Sequence, residues 1–354
     1  MTKLKVAVIG AGSISDAHLT SYMEHPEVEL YGIVDMNEER ARAAVEKYGA
    51  KVAFTDYREM LADPQVEAVS ICTWNNTHGA LSIAVLEAGK HVLCEKPLCT
   101  TVEEALRVEE AVRRSGKLLM VGFVRRFGTN AQVLRRFIDA GELGEIYYAK
   151  ASYLRRLGNP GGWFADKERA GGGPLFDIGI HVIDLCWYLM DRPKVKSVSG
   201  NTYTKLGNRS HIKNLSFYKA ADYDASQNTV EDMANALIRF ENGASLMVDV
   251  SFTLHAKMKN EFAVKIFGDK GGAEIEPDFC IVSEKHDTII NVTPQIDHPS
   301  FEFMDGFRNE IDHFVQVCLG RQALISPVRD GVELTKILCA IYESSEKGIE
   351  IHFD

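Results

Sequence analysis

Lys96 stands in the run Cys94-Glu95-Lys96-Pro97-Leu98, at the end of a short apolar stretch, with a carboxylate before it and a proline that stiffens the turn after it. An ammonium group so placed can exchange a proton or polarise a hydroxyl. A second group, Asp177, His181 and Asp184, follows the glycine run Gly171-Gly172-Gly173-Pro174. On an α-helix the spacings i, i+4 and i+7 put all three on one face. A carboxylate one turn from an imidazole orients the ring and raises its basicity, which suits proton exchange with a hydroxyl near neutral pH. Plainer readings exist for both groups. A Lys-Pro step is often just a turn, and Asp177 can be a helix cap beside a buried, satisfied His181. The sequence has no Cys or His pair at zinc-ligand spacing, so no metal is expected.

The third group is Gly10-Ala11-Gly12-Ser13-Ile14-Ser15, which follows a β-branched run and opens a helical stretch. This is the context a dinucleotide-binding turn requires. Gly10 permits the tight turn, and Gly12 lets the backbone approach a pyrophosphate at the helix N-terminus, beside Ser13 and Ile14. Ser15 replaces the usual third glycine, where a small residue is needed mainly for packing. Asp35 ends the second strand-like run, where its carboxylate can accept hydrogen bonds from ribose hydroxyls and repel a 2′-phosphate. Met36 rather than arginine follows it, so NAD is favoured over NADP, although Arg40 lies one helical turn on.

The elements that must position these groups fall into two patterns. Strand-like runs at 4–9, 28–34, 51–54, 68–73, 91–94 and 117–122 alternate with helical stretches at 13–24, 37–48, 56–62, 77–88 and 101–115. This alternation predicts a parallel, doubly wound sheet ending near residue 124. Beyond it come a helix at 131–140, a strand at 146–154, a Gly-rich stretch at 158–173 and a helix over 176–190. Runs with a period of two at 230–240, 244–254 and 261–267 predict antiparallel strands in a broad open sheet. Helical patterns at 305–319 and 329–346 close the chain. The expectation is an α/β domain over 1–124 that binds the dinucleotide, and an α+β domain over 125–354 for substrate and oligomerisation. Residues 200–229 read as a long loop or arm.

The 354 residues are 45% hydrophobic and 25% charged, the balance of an ordinary globular protein. Fifty acidic against 40 basic side chains give a net charge of -10, which disfavours a nucleic-acid backbone or an anionic membrane as partner. No apolar stretch approaches the length of a membrane span, and the start reads as a strand rather than a signal peptide. The seven cysteines are odd in number, scattered and without a Cys-x-x-Cys pair, as expected for reduced thiols in the cytoplasm.

Taken together, these motifs resemble the glucose-fructose oxidoreductase, inositol dehydrogenase and rhizopine-catabolism (Gfo/Idh/MocA) family over nearly the whole chain. Besides the glycine turn, the likeness rests on Thr73-Trp74-Asn75-Asn76-Thr77-His78, Ala88-Gly89-Lys90-His91-Val92, Glu95-Lys96-Pro97 and Gly122-Phe123 with Arg126-Phe127. Gly141-Glu142-Leu143-Gly144, the Gly171 to Asp184 segment and Phe240-Glu241-Asn242-Gly243 continue it in order. The resemblance implies that Lys96, Asp177 and His181 are catalytic, that Pro97 follows a cis peptide bond, and that Thr73, Trp74, Asn75, His78, Glu95 and Lys96 line the nicotinamide side. Trp74 stands where the family commonly has proline, which bears on the shape of that loop. Lys96, His181, Asp184, Arg126, Tyr153 and Trp163 are the candidate substrate contacts.

The implied activity is hydride transfer between NAD and a secondary alcohol or ketone of a sugar, sugar derivative or inositol. His181, oriented by Asp177, would exchange the hydroxyl proton while Lys96 stabilises the alkoxide. Two alternatives are an NAD-recycling glycoside hydrolase of the same family and a non-enzymatic dinucleotide sensor, the latter having no need of all three groups. The pairs Arg125-Arg126 and Arg155-Arg156 leave open an acidic or phosphorylated substrate. A homodimer or homotetramer is expected.

Overall fold

The computed structural model describes residues 3–207, 209, 211–216, 219, 224 and 227–353. The chain divides into two compact units: Met1–Val124 with Phe303–Thr335, and Arg125–Glu302 with Lys336–Asp354. The segment Phe303–Thr335, assigned from sequence to the second domain, belongs with the first.

Unit 1 alternates strand and helix: β1 (Leu4–Ile9), α1 (Ser15–Glu24), β2 (Val28–Val34), α2 (Glu38–Tyr48), β3 (Val52–Phe54), α3 (Tyr57–Ala62) and β4 (Ala68–Ile71). It continues with α4 (His78–Glu87), β5 (His91–Glu95), α5 (Val102–Ser115) and β6 (Leu119–Gly122). The six strands are parallel in the order β3-β2-β1-β4-β5-β6. Strand order therefore reverses between β1 and β4, which is where such sheets bind ligands, at the carboxyl ends of their strands. Buried Val6, Val8, Val69, Ile71, Val92 and Leu93 fill the centre of the sheet. They form continuous apolar runs because helices cover both faces. The helix ends are written locally. Asn37 caps α2 through the Arg40 N–H, Thr101 caps α5 through the Glu104 N–H, and Gly49 and Gly116 end these helices in the left-handed conformation.

Unit 2 contains α6 (Thr129–Asp139), β7 (Ile146–Arg155), the short α7 (Lys167–Ala170), a π-helical turn over Leu175–Gly179 and α8 (Ile180–Leu189). After these come β8 (Val195–Tyr203), β9 (Met233–Phe240), β10 (Ser245–Ser251), β11 (Asn260–Gly268), β12 (Gly271–Glu274), β13 (Cys280–Lys285) and β14 (Thr288–Val292). The last elements are α9 (Phe303–Cys318) of unit 1, α10 (Val328–Lys347), whose first eight residues also count with unit 1, and β15 (Ile351–His352). Among the described residues the sheet has nine strands in the order β14-β13-β12-β11-β7-β10-β9-β8-β15. Every pair is antiparallel except β7 with β10. Alternate residues of β9 and β10 are buried, as their period of two requires.

Three features depart from the sequence reading. The run 200–229 is not all loop, since β8 reaches Tyr203; part of the remainder lies outside the described residues. Strands β12 to β15 carry no legible alternation. The single helix expected over 176–190 begins with a π turn and becomes α-helical only at Ile180. No helix among the described residues is long and apolar enough to cross a membrane.

Candidate active site

In unit 1 the glycine turn joins β1 to α1. Gly10 has φ of +94°, and a Cβ there would stand 2.6 Å from the Cys72 carbonyl oxygen, so only glycine fits between the ends of β1 and β4. A Cβ on Gly12 would meet nothing within 4 Å. The space over Gly12 is therefore open to a ligand, and Gly12 and Ser13 are exposed while Ile14 is half-buried. No side chain caps the start of α1. Ser15 is buried where a third glycine was looked for, and its hydroxyl bonds the Gly12 carbonyl at 2.6 Å. Asp35 ties the end of β2 to the turn: Oδ2 accepts from the Ala11 N–H at 3.0 Å and Oδ1 from the Asn37 N–H at 2.8 Å. Arg40 is only a 3.4 Å partner of Asp35 with its own side chain 56% exposed. A glycine cradle, an open helix start and a fixed carboxylate at the end of β2 fit a dinucleotide with free ribose hydroxyls.

Two strands further along the sheet, the loops after β4 and β5 are bound to each other. Thr73 and Thr77 hydroxyls lie 2.7 Å apart, and Thr77 also donates to the Trp74 carbonyl at 2.7 Å. Trp74 has φ of -74°, within the range a proline would fix. Asn75 and His78 are buried, while Trp74 is exposed. His78 Nδ1 is 2.7 Å from the Pro97 carbonyl oxygen and Nε2 is 3.2 Å from that of Thr73. Burial pushes its pKa down despite both carbonyls, so the neutral ring donates to Pro97. The Lys96-Pro97 peptide is cis. Glu95 is buried and accepts from the Lys96 N–H at 3.2 Å. Cys94 is buried and its thiol is pushed up to about 12, which leaves it no role as a nucleophile. Lys96 is half-buried, and from Val92 to Cys99 it is the one residue that is not fully buried.

In unit 2 the same contrast marks Asp177 and His181. From Gly172 to Trp187 they are the two positions left partly open, and every other residue is buried. Their segment is anchored by residues that no sequence motif announced. The buried carboxylate of Glu231 accepts from the N–H groups of Gly173 at 2.9 Å and Leu175 at 3.3 Å, and from the Tyr342 hydroxyl at 2.7 Å. The glycine run makes room for this anchor: a Cβ on Gly172 would stand 1.9 Å from the Tyr342 hydroxyl, and one on Gly173 2.5 Å from the Glu231 carbonyl oxygen. A negative charge at the start of this turn also suits its dipole.

Asp184 does not share the partly open face. One α-helical turn from His181, it is 1% exposed and holds Arg126 with a shortest contact of 2.6 Å. Both were candidates for substrate contact, and the fold instead joins them to each other beside Tyr188. Tyr153, at the end of β7, is half-buried, edge-on to Phe262, and accepts from Arg155 at 3.3 Å. Trp163 is half-buried and stacked on Phe164 with ring centroids 3.9 Å apart. The arginine pairs are engaged within the fold. Arg125 lies between the rings of Phe262 and Phe301, at 4.0 and 4.1 Å, and pairs with Glu276 at 3.3 Å. Arg155 and Arg156 bond the carbonyls of Gly158 and Lys257. These contacts take away most of the argument for an acidic substrate.

The fold and the glycine cradle define a Rossmann-type oxidoreductase that binds a nicotinamide dinucleotide. Residues 4–123 match the oxidoreductase family described as having an NAD-binding Rossmann fold, and residues 131–274 match the Gfo/Idh/MocA C-terminal domain. The chain belongs to the Gfo/Idh/MocA family. It is 34% identical over 352 residues to D-glucoside 3-dehydrogenase of Escherichia coli K12, covering 98% of this chain and 97% of that one. Myo-inositol 2-dehydrogenase of Thermotoga maritima is 31% identical over 268 residues, 76% of this chain and 74% of its own. Among solved structures, levoglucosan dehydrogenase in complex with NADH and levoglucosan superposes with a TM-score of 0.84 at 25% identity, covering 99% of each chain.

Proposed function

We propose that this protein is an NAD-dependent dehydrogenase that oxidises a secondary hydroxyl of a sugar, sugar derivative or inositol, or reduces the corresponding ketone. NAD, when bound, supplies the hydride acceptor. The observation that carries the reading is the burial pattern: Lys96, Asp177 and His181 are the residues left partly open in stretches that are otherwise buried. Titratable side chains left partly open in otherwise buried segments are candidates for reacting groups. In this reading His181 takes the hydroxyl proton, Asp177 orients the ring, and the Lys96 ammonium stabilises the oxygen as it becomes negative. Tyr153 and Trp163 offer an aromatic surface and a phenol to a sugar ring. Gly10, Gly12, Ser13, Ile14 and Asp35 hold the dinucleotide, with Thr73, Trp74, Asn75 and His78 on its nicotinamide side. The names of the relatives, which act on a glucoside, an inositol and levoglucosan, support the substrate class.

We read the protein further as cytoplasmic and homo-oligomeric. The seven free thiols support a reducing compartment. The open face of the nine-stranded sheet, which includes Tyr148, Phe267, Leu237 and Met247, supports a dimer or tetramer. The deciding assay follows NADH absorbance with purified protein, NAD or NADP, and a panel of inositols, aldoses, sugar acids and glycosides. NADH formed from one class of alcohol names the substrate. Hydrolysis of a glycoside without net NADH would replace the dehydrogenase by a hydrolase that recycles its NAD.

A further inference from the structure

His18, Ser70 and Tyr22 have no part in the chemistry above, yet they form a chain of hydrogen bonds that ends on the lysine turn. The Tyr22 and Ser70 oxygens are 2.7 Å apart, Ser70 Oγ is 3.3 Å from His18 Nδ1, and His18 Nε2 is 2.8 Å from Glu95 Oε1. The other oxygen of Glu95 accepts from the Lys96 N–H. All four side chains are buried, with His18 and Ser70 at 0%. With Glu95 accepting at both oxygens, His18 donates to it from Nε2, and Nδ1 shares a hydrogen with the Ser70 hydroxyl. Tyr22 shares the next hydrogen with Ser70, and burial keeps its phenol protonated by raising its pKa well above the usual value.

The elements joined this way matter more than the bonds. His18 lies on α1, whose first turn forms the dinucleotide cradle, and Glu95 ends β5 immediately before Lys96. From α9, Phe307 covers the imidazole with ring centroids 5.3 Å apart. The Glu310 carboxylate of α9 comes within 4.8 Å of the polar atoms of His18 and Glu95. We propose that His18 is a positioning residue: its bond to Glu95 sets the lysine turn against the cofactor-binding helix, so that cofactor and Lys96 are held in register by one buried connection. The inference rests on the reading of Lys96 as catalytic.

The test compares full-length His18→Gln, His18→Leu and Lys96→Ala. The glutamine amide can still donate to Glu95, whereas leucine fills the space and cannot. Turnover, substrate KM, NADH affinity by fluorescence, and hydrogen exchange of the Lys96 amide are measured on each. His18→Leu is expected to lower kcat by about 10–100-fold with KM little changed, and to speed exchange of the Lys96 amide roughly tenfold. His18→Gln should restore most of both. A folded His18→Leu enzyme with wild-type kcat and exchange would overturn the proposal, as would equal loss in the two variants, which would make the role one of packing. Should His18→Leu not fold, His18→Met replaces it, since it fills the same space without a donor and carries the same expected losses. Full activity in Lys96→Ala would remove the reading of the lysine while leaving the exchange result for His18 intact.

Discussion

Arg126 and Asp184 show how burial changes what a residue can do. With its partner removed, either charge would be left in the interior, so Arg126→Met should cost about 3–5 kcal/mol. The double variant Arg126→Met/Asp184→Leu should recover most of that in urea denaturation, and failure to recover would mean that the pair does more than neutralise itself. Lys96 and His181 are half-buried in otherwise buried segments. Replacing either by alanine should lower turnover by roughly 10²–10⁴-fold while NADH titration gives a near wild-type Kd. His78 makes the pH dependence predictable. Burial places its folded pKa below the unfolded value, as it also does for His91 and His313. Below roughly pH 6.5 the unfolded chain therefore binds protons that the folded one refuses, and stability falls as the pH drops from that value toward the folded pKa values. Urea midpoints at about pH 7.5 and about pH 5.5 should show the loss, with a shallower dependence in His78→Gln.

At the scale of the element, the segment bearing Asp177 and His181 is a π turn joined to an α-helix, held at its start by Glu231 and Tyr342. Such turns are uncommon and costly alone, and they persist where surrounding contacts hold them. A methyl group on Gly173 would press on the Glu231 backbone, and Gly173→Ala should cost about 1–3 kcal/mol. The same variant should lower kcat while NAD affinity stays unchanged, because the dinucleotide cradle belongs to unit 1. Calorimetry and NADH titration on this one protein check both parts. The spacing of Asp177 and His181 was legible in the sequence. The turn was not, because nothing in Leu175-Phe176-Asp177-Ile178-Gly179 distinguishes π from α, and the residue that fixes it lies 54 positions beyond Asp177. The repetitive elements of unit 1 were read nearly to the residue, since each is a short run whose pattern is set by neighbours along the chain.

At the scale of the molecule, unit 1 is built from two separated pieces of chain. From the second piece, α9 covers α1, with Arg308 on Glu24 at 2.9 Å and Phe307 on His18, and just past both helices Arg321 pairs with Glu27 at 2.8 Å. A fragment of residues 1–124 would uncover buried His18, and should neither fold cooperatively nor bind NADH. Joining residues 303–335 to it through a flexible linker should restore both, as followed by circular dichroism and NADH fluorescence. A short fragment that binds NADH as well as the whole protein would show that α9 adds nothing to the cradle.

Sequence alone determined whatever depends on neighbours along the chain. The parallel strands, the helix caps, the glycine turn with Asp35, and the strand-end position of Lys96 all follow from local periodicity and from backbone conformations that few residues adopt. Tertiary structure decided which polar groups remain available. It removed Asp184 and Arg126 into a buried pair, engaged Arg125 with Glu276 between two rings, supplied Glu231 to the Asp177 turn, and placed His18 behind Glu95. Burial of a charge depends on partners distant in sequence and on the desolvation they offset, and no spacing along the chain records either.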